Sequence, residues 1–124
     1  MSGRVVHFEI PADDPERAVA FYGSAFGWDL NSMPGFGYTL ASTGPTGDRG
    51  PTETGYINGG LLRRCDEVPS PVITIGVDDI DASLATIGEL GGSTVRGKEP
   101  VGDMGFAAYA KDSEGNVLGL WQNA

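Results

Sequence analysis

Cysteine and histidine each occur once in the 124 residues, as Cys65 and His7. A lone cysteine excludes an intramolecular disulfide, and one cysteine with one histidine spells out no Cys/His metal knot. Cys65 sits in RRCDEVPS, where it reads as a free linker thiol. Basic residues are scarce: 8 Lys plus Arg stand against 17 Asp plus Glu, a formal charge of −9. Such an acidic field repels phosphate backbones and anionic headgroups, so neither nucleic acid nor a membrane surface is expected as a partner. No apolar run approaches the roughly 18 residues of a membrane span, and the first residues lack the basic, apolar and small-residue zones of a signal peptide. A cytoplasmic location is the expectation. Phosphate-cradling glycine loops, nucleophile–base pairs and thiol motifs are absent too.

Glycine and proline are plentiful, with 20 and 8 copies. They imply many turns and short elements, hence a sheet-rich fold. The length suits a single domain, residues 1–124, large enough to bury roughly 60 to 70% of its unfolded surface.

The second half repeats the plan of the first. HFEIPADDPERAVAFYGSAFGW (7–28) lies over VITIGVDDIDASLATIGELGGS (72–93) without a gap, matching Asp13 and Asp14 to Asp78 and Asp79, Ala20 to Ala85, Gly23 to Gly88 and Gly27 to Gly92. Each copy reads as a strand, an Asp-Asp turn, a helix and a glycine stop. Asp14, followed by Pro15, is placed to cap the first helix and Asp79 the second. Ala18, Phe21, Tyr22 and Ala25 follow helical spacing, as do Ile80, Leu84, Ile87 and Gly91, so each helix presents an apolar face. Short strands follow: 28–33, 37–43 and 56–63 in the first half, then 93–97, 104–111 and 115–122 in the second. The polar segment 43–55 reads as a mobile surface loop. Two βαβββ modules result, one at about 4–63 and one at about 71–122, joined by a linker at about 64–70.

His7 and Glu9 are two apart on the first strand, so they share a face, while Val6, Phe8 and Ile10 share the other. A sheet covered by helices on one side leaves its other face open, and His7 and Glu9 are expected to point there. In the last strand Val117, Gly119 and Trp121 share a face, opposite Leu118 and Leu120. In the second module Val72, Thr74 and Gly76 take the places of His7, Glu9 and Pro11. Tyr38, Tyr56, Phe106 and Tyr109 are aromatic candidates whose orientation alternation alone does not fix.

The paired βαβββ plan, the opening HFEIPADDPERAVAFYGSAFGW, VDDIDASLATIGELGG and the closing DSEGNVLGLWQ resemble the glyoxalase, bleomycin-resistance and extradiol-dioxygenase superfamily, also called vicinal oxygen chelate proteins. The resemblance covers essentially the whole chain. It implies an α+β fold in which the two modules form a curled eight-stranded mixed sheet around a small-molecule cavity, commonly in a homodimer. Enzymes of the superfamily hold a divalent ion with His, Gln or Glu on the first and last strands of each module, leaving open positions for substrate oxygens. Only His7 matches such a position. Val72, Gly119 and either Gly59 or Gly60 stand at the others, and none has a side-chain donor. The expectation is therefore a small-molecule-binding protein with a degenerate metal site and no cofactor, its ligand contacts being His7, Glu9, Tyr38, Thr74 and Trp121. The alternative is a divalent-metal-dependent lyase, isomerase or dioxygenase using His7 and Glu9.

Overall fold

The computed structural model describes residues 3–124. Backbone contacts divide the described residues into two compact units: His7–Pro71, and Val72–Ala124 together with residues 3–6.

The unit His7–Pro71 is built from all but the first two residues of strand β1 (Val5–Ala12), helix α1 (Pro15–Phe26) and strands β2 (Asp29–Met33), β3 (Tyr38–Ser42), β4 (Thr46–Gly47), β5 (Gly50–Pro51) and β6 (Gly59–Arg63). Helix α1 starts where the sequence requires it. Asp14 is extended, its carboxylate accepts from the Arg17 N–H at 3.2 Å, and Pro15 occupies the first turn. Gly27 stops the helix at φ +73°, in the left-handed region that glycine adopts without strain. The inward face is Ala18, Val19, Tyr22 and Gly23, whereas Phe21 and Ala25 point outward, Phe21 at 58% exposure. The expected face is thus turned by about one residue. The Trp28 ring, just past the helix, stacks on Tyr22 with centroids 4.8 Å apart and planes 10° apart, which draws Tyr22 inward. Phe21 is left to pack edge-on against Tyr22 from outside.

Strand β2 pairs antiparallel with β3, β3 antiparallel with β6, and β6 parallel with β1, giving the order β1-β6-β3-β2. The segment 43–55, expected to be loose, is cross-tied. Its β4–β5 pair forms a minimal hairpin. The Thr43 N–H donates to Asn58 Oδ1 at 3.0 Å, the Thr43 hydroxyl to the Ile57 carbonyl at 2.7 Å, and the Tyr56 hydroxyl to the Pro45 carbonyl. Short polar side chains that looked like solvated surface satisfy the loop's own backbone instead. They also hold residues 56–58 out of β6, which begins at Gly59. The linker is anchored as well, with Val68 fully buried and Arg64 paired to Asp13 at 2.9 Å.

The other unit runs through strand β7 (Val72–Gly76), helix α2 (Ile80–Glu89) and strands β8 (Ser93–Val101), β9 (Gly105–Lys111) and β10 (Val117–Asn123), in the order β7-β10-β9-β8. Asp79 caps α2 by accepting from the Ala82 N–H at 3.1 Å. Ile80 is fully buried on Ala108 and Leu120, with Leu84, Ile87, Ile75, Leu118 and Phe106 packed around them. Gly91, at φ +98°, ends the helix rather than extending its apolar face. Strand β8 runs four residues beyond the expected 93–97, with irregular pairing to β9 on both sides of Arg96. The DSEGN turn between β9 and β10 is organised by Asp112, whose carboxylate accepts from the Glu114 and Asn116 N–H groups at 2.8 and 2.9 Å. Those bonds hold the Asp112 carboxyl below its usual range.

In both modules the first strand lies parallel to the last, followed by the third and the second. The sequence repeat is therefore a repeat of topology: apart from the separate β4–β5 hairpin, the described residues form four strands in each module, eight in all, mixed in direction, with one helix apiece. The chain entering β1 also serves β7, since Gly76 donates to the Arg4 carbonyl at 2.8 Å and accepts from the Gly3 N–H at 2.7 Å.

Candidate functional site

Parallel pairing of β1 with β6 sets Phe8 beside Gly59 and Glu9 beside Gly60. Neighbours in register share a face, so Gly60 lies with His7 and Glu9, while Gly59 lies with Phe8. Of the two candidate glycines, Gly60 is thus the one on the His7 face. At both glycines a neighbouring ring takes the space of a side chain. A Cβ on Gly59 would fall on the Phe8 ring, and one on Gly60 would fall on the Tyr38 ring and hydroxyl.

Tyr38 is paired across the sheet with Leu62, one step beyond Gly60 on the same face. Its ring leans diagonally over Gly60, and its hydroxyl lies 2.7 Å from His7 Nε2, with the two ring planes 17° apart. Burial pushes the His7 pKa below its ordinary 6.5, and the neighbouring Glu9 carboxylate offsets part of that push. A neutral imidazole follows at neutral pH. Either the Tyr38 hydroxyl donates to Nε2 and Nδ1 keeps the proton, or Nε2–H donates to the phenol oxygen and the hydroxyl proton points onward. In both forms Nε2 is engaged by Tyr38. Glu9 is only 7% exposed, more enclosed than the open wall expected of it.

In the second module Gly119 pairs with Thr74, and a Cβ on Gly119 would come within 2.9 Å of Thr74 Oγ1. Thr74 and Val72 are both buried. Trp121 shares the Gly119 face, but its ring lies against Gly105 and its indole N–H donates to Asn123 Oδ1 at 2.8 Å. Among the other aromatic candidates, Tyr109 pairs with Gly119 and shares its face. Phe106 packs into the core under α2, and Tyr56 ties the 43–55 loop, so neither belongs to the face of Thr74 or His7. The structure therefore gathers His7, Glu9 and Tyr38 in one unit and sets Thr74 and Trp121 on a single face of the other.

Two residues on these faces escaped sequence reasoning. Leu40, 42% exposed, is the cross-strand neighbour of Gly60. Arg96 lies over the Tyr109 ring, its guanidinium carbon 4.9 Å from the ring centre, and pairs with Glu99 at 3.1 Å. Leu40 follows from the alternation of β3 once Tyr38 is oriented. Arg96 sits at a β-bulge, where period-two reasoning has no signal.

The residues present do not suit a superfamily metal ion. Among the described residues no three His, Cys, Asp or Glu side chains are grouped to hold one. Tyr38 covers Gly60 and occupies His7 Nε2, Thr74 closes on Gly119, and Val72 offers no donor.

The family profile for bleomycin resistance protein-like N-terminal segments matches residues 4–44. A glyoxylase-like domain-containing protein from Didymella fabae is 31% identical, covering 94% of this chain and 91% of its own length. A probable lactoylglutathione lyase from Vibrio parahaemolyticus is 32% identical, over 98% of this chain and 92% of its own. Among solved structures, a methylmalonyl-CoA epimerase in complex with methylmalonyl-CoA and ammonium superposes with a TM-score of 0.65 at 20% identity, covering 100% of this chain and 96% of that one. The chain belongs to the glyoxalase, bleomycin-resistance and extradiol-dioxygenase superfamily, whose members often use a divalent metal.

Proposed function

We propose that this protein binds a small, mostly apolar or planar molecule without a resident metal ion, that His7, Glu9 and Tyr38 are the ligand contacts of one unit and Thr74 and Trp121 those of the other, and that it works as a homodimer. The observation that carries this reading is the covering of both closing-strand glycines: Tyr38 over Gly60 and Thr74 against Gly119. Where metal-dependent members of the superfamily place His, Gln or Glu donors, this chain places a phenol, a hydroxyl and aliphatic surface. The His7–Tyr38 pair suits a carbonyl or hydroxyl oxygen on the ligand, and the Glu9 carboxylate beside it disfavours an anionic group there. No step of a reaction is required of these groups.

A second reading has its own support. A relative 32% identical over almost the whole chain bears the name probable lactoylglutathione lyase, so lyase or isomerase chemistry remains the competing proposal. The test separates the two. The purified protein is analysed for metal content, screened by thermal shift against aromatic and carbonyl metabolites, and assayed for lactoylglutathione lyase activity with and without added Ni, Zn or Mn. Ligand-induced stabilisation that is unchanged by metal, with no turnover, is the expected result. Metal-dependent turnover overturns it. Size-exclusion chromatography with light scattering checks the dimer.

A further inference from the structure

We propose that Tyr38 and Gly60 form a coupled replacement for a metal ligand: the tyrosine ring takes the space a longer side chain at position 60 would need, and its hydroxyl takes His7 Nε2. This deepens the binding reading above by assigning what the ligand meets in module one, a fixed hydrogen-bonding pair in place of a cation.

Three observations converge. Gly60, and not Gly59, shares the face of His7 and Glu9. Tyr38 stands opposite Leu62, so its ring has to cross Gly60 to bring the hydroxyl within 2.7 Å of His7. The place of a Cβ at residue 60 is already occupied by the far end of that ring. A donor side chain at 60 and the seated Tyr38 are therefore mutually exclusive. The glycine is a requirement of the tyrosine and not an empty ligand position, so restoring a carboxylate at 60 alone should not restore a metal site.

The experiment titrates Co²⁺ alone into the wild type, Tyr38→Ala, Gly60→Glu, Tyr38→Ala/Gly60→Glu and Tyr38→Phe/Gly60→Glu by calorimetry, with a thermal melt of each. Co²⁺ should bind the Tyr38→Ala/Gly60→Glu protein at least tenfold more tightly than any other member of the set, and His7→Ala in that background should remove the gain. Tyr38→Phe/Gly60→Glu keeps the ring and should gain nothing. If Gly60→Glu does not fold, Tyr38→Ala should rescue its folding; failure of that rescue overturns the proposal. So does Co²⁺ binding as tight in the wild type, in Gly60→Glu or in the phenylalanine double variant as in the alanine one, or a gain that survives His7→Ala. A failed ligand screen would defeat the binding reading and leave these titrations untouched, which keeps the two failures distinct.

Discussion

The two modules share a strand order and differ in what covers the glycine of the closing strand. In module one a tyrosine from β3 reaches across to a histidine, beside an enclosed carboxylate. In module two a threonine from β7 itself fills the gap, between buried Val72 and an aromatic neighbour, Tyr109. One scaffold thus supports a polar half and a mostly apolar half. The difference teaches that the glycines do opposite jobs: Gly60 admits a long-range hydrogen bond, whereas Gly119 admits local close packing.

The sharpest break of that comparison comes from filling each glycine. Gly60→Ala should destabilise by about 1 to 3 kcal/mol, as overpacking typically does, and by less than half of that in a Tyr38→Ala background. Gly119→Ala, where only the Thr74 hydroxyl must give way, should cost at most about 1 kcal/mol. Urea unfolding measures both. Equal costs, or no relief from Tyr38→Ala, would mean that the two glycines are alike.

Next in size is the hydrogen bond itself. Tyr38→Phe keeps the ring and should cost about 1 kcal/mol, the usual price of one such bond, while changing the ligand profile. A melt and a ligand screen indistinguishable from wild type would show the bond to be idle.

The smallest effect is a pH dependence below about pH 6.5 that only module one carries, since module two has no histidine. The folded His7 pKa lies below the ordinary 6.5, mainly through burial. The unfolded chain then binds the proton first, so stability is complete above about pH 6.5 and declines as pH falls through the folded value. Asp13, lowered by its bond to Arg64, and Asp112 act only further down, below their ordinary 3.8. His7→Phe should therefore flatten stability as the pH falls below about 6.5 and leave the acid limb in place. A wild type already flat there, or an unchanged slope in the variant, contradicts the buried neutral imidazole.

Much of the fold was legible because local chemistry and topology agree. Asp14 and Asp79 cap the helices they were read to cap, and the gapless match of 7–28 with 72–93 corresponds to two modules of identical strand order. The errors came from side chains acting at a distance. Helical spacing could not know that Trp28 would stack on Tyr22 and turn Phe21 outward. Composition could not show that Thr43, Tyr56 and Asn58 tie the polar loop to itself. At the candidate site, strand alternation paired His7 with Glu9, but the choice between Gly59 and Gly60 needed the register of β1 on β6. The reach of Tyr38 over Gly60 is a diagonal contact across strands, which no periodicity in one strand encodes.

The single histidine makes the central claim directly measurable, because the imidazole ¹⁵N spectrum contains one ring only. At pH 7 it should report a neutral ring with Nε2 hydrogen-bonded, unchanged by a stoichiometric addition of Zn²⁺ and shifted in Tyr38→Phe. A spectrum that moves to a metal-bound imidazole on adding Zn²⁺, or one that is the same in Tyr38→Phe, would contradict the account.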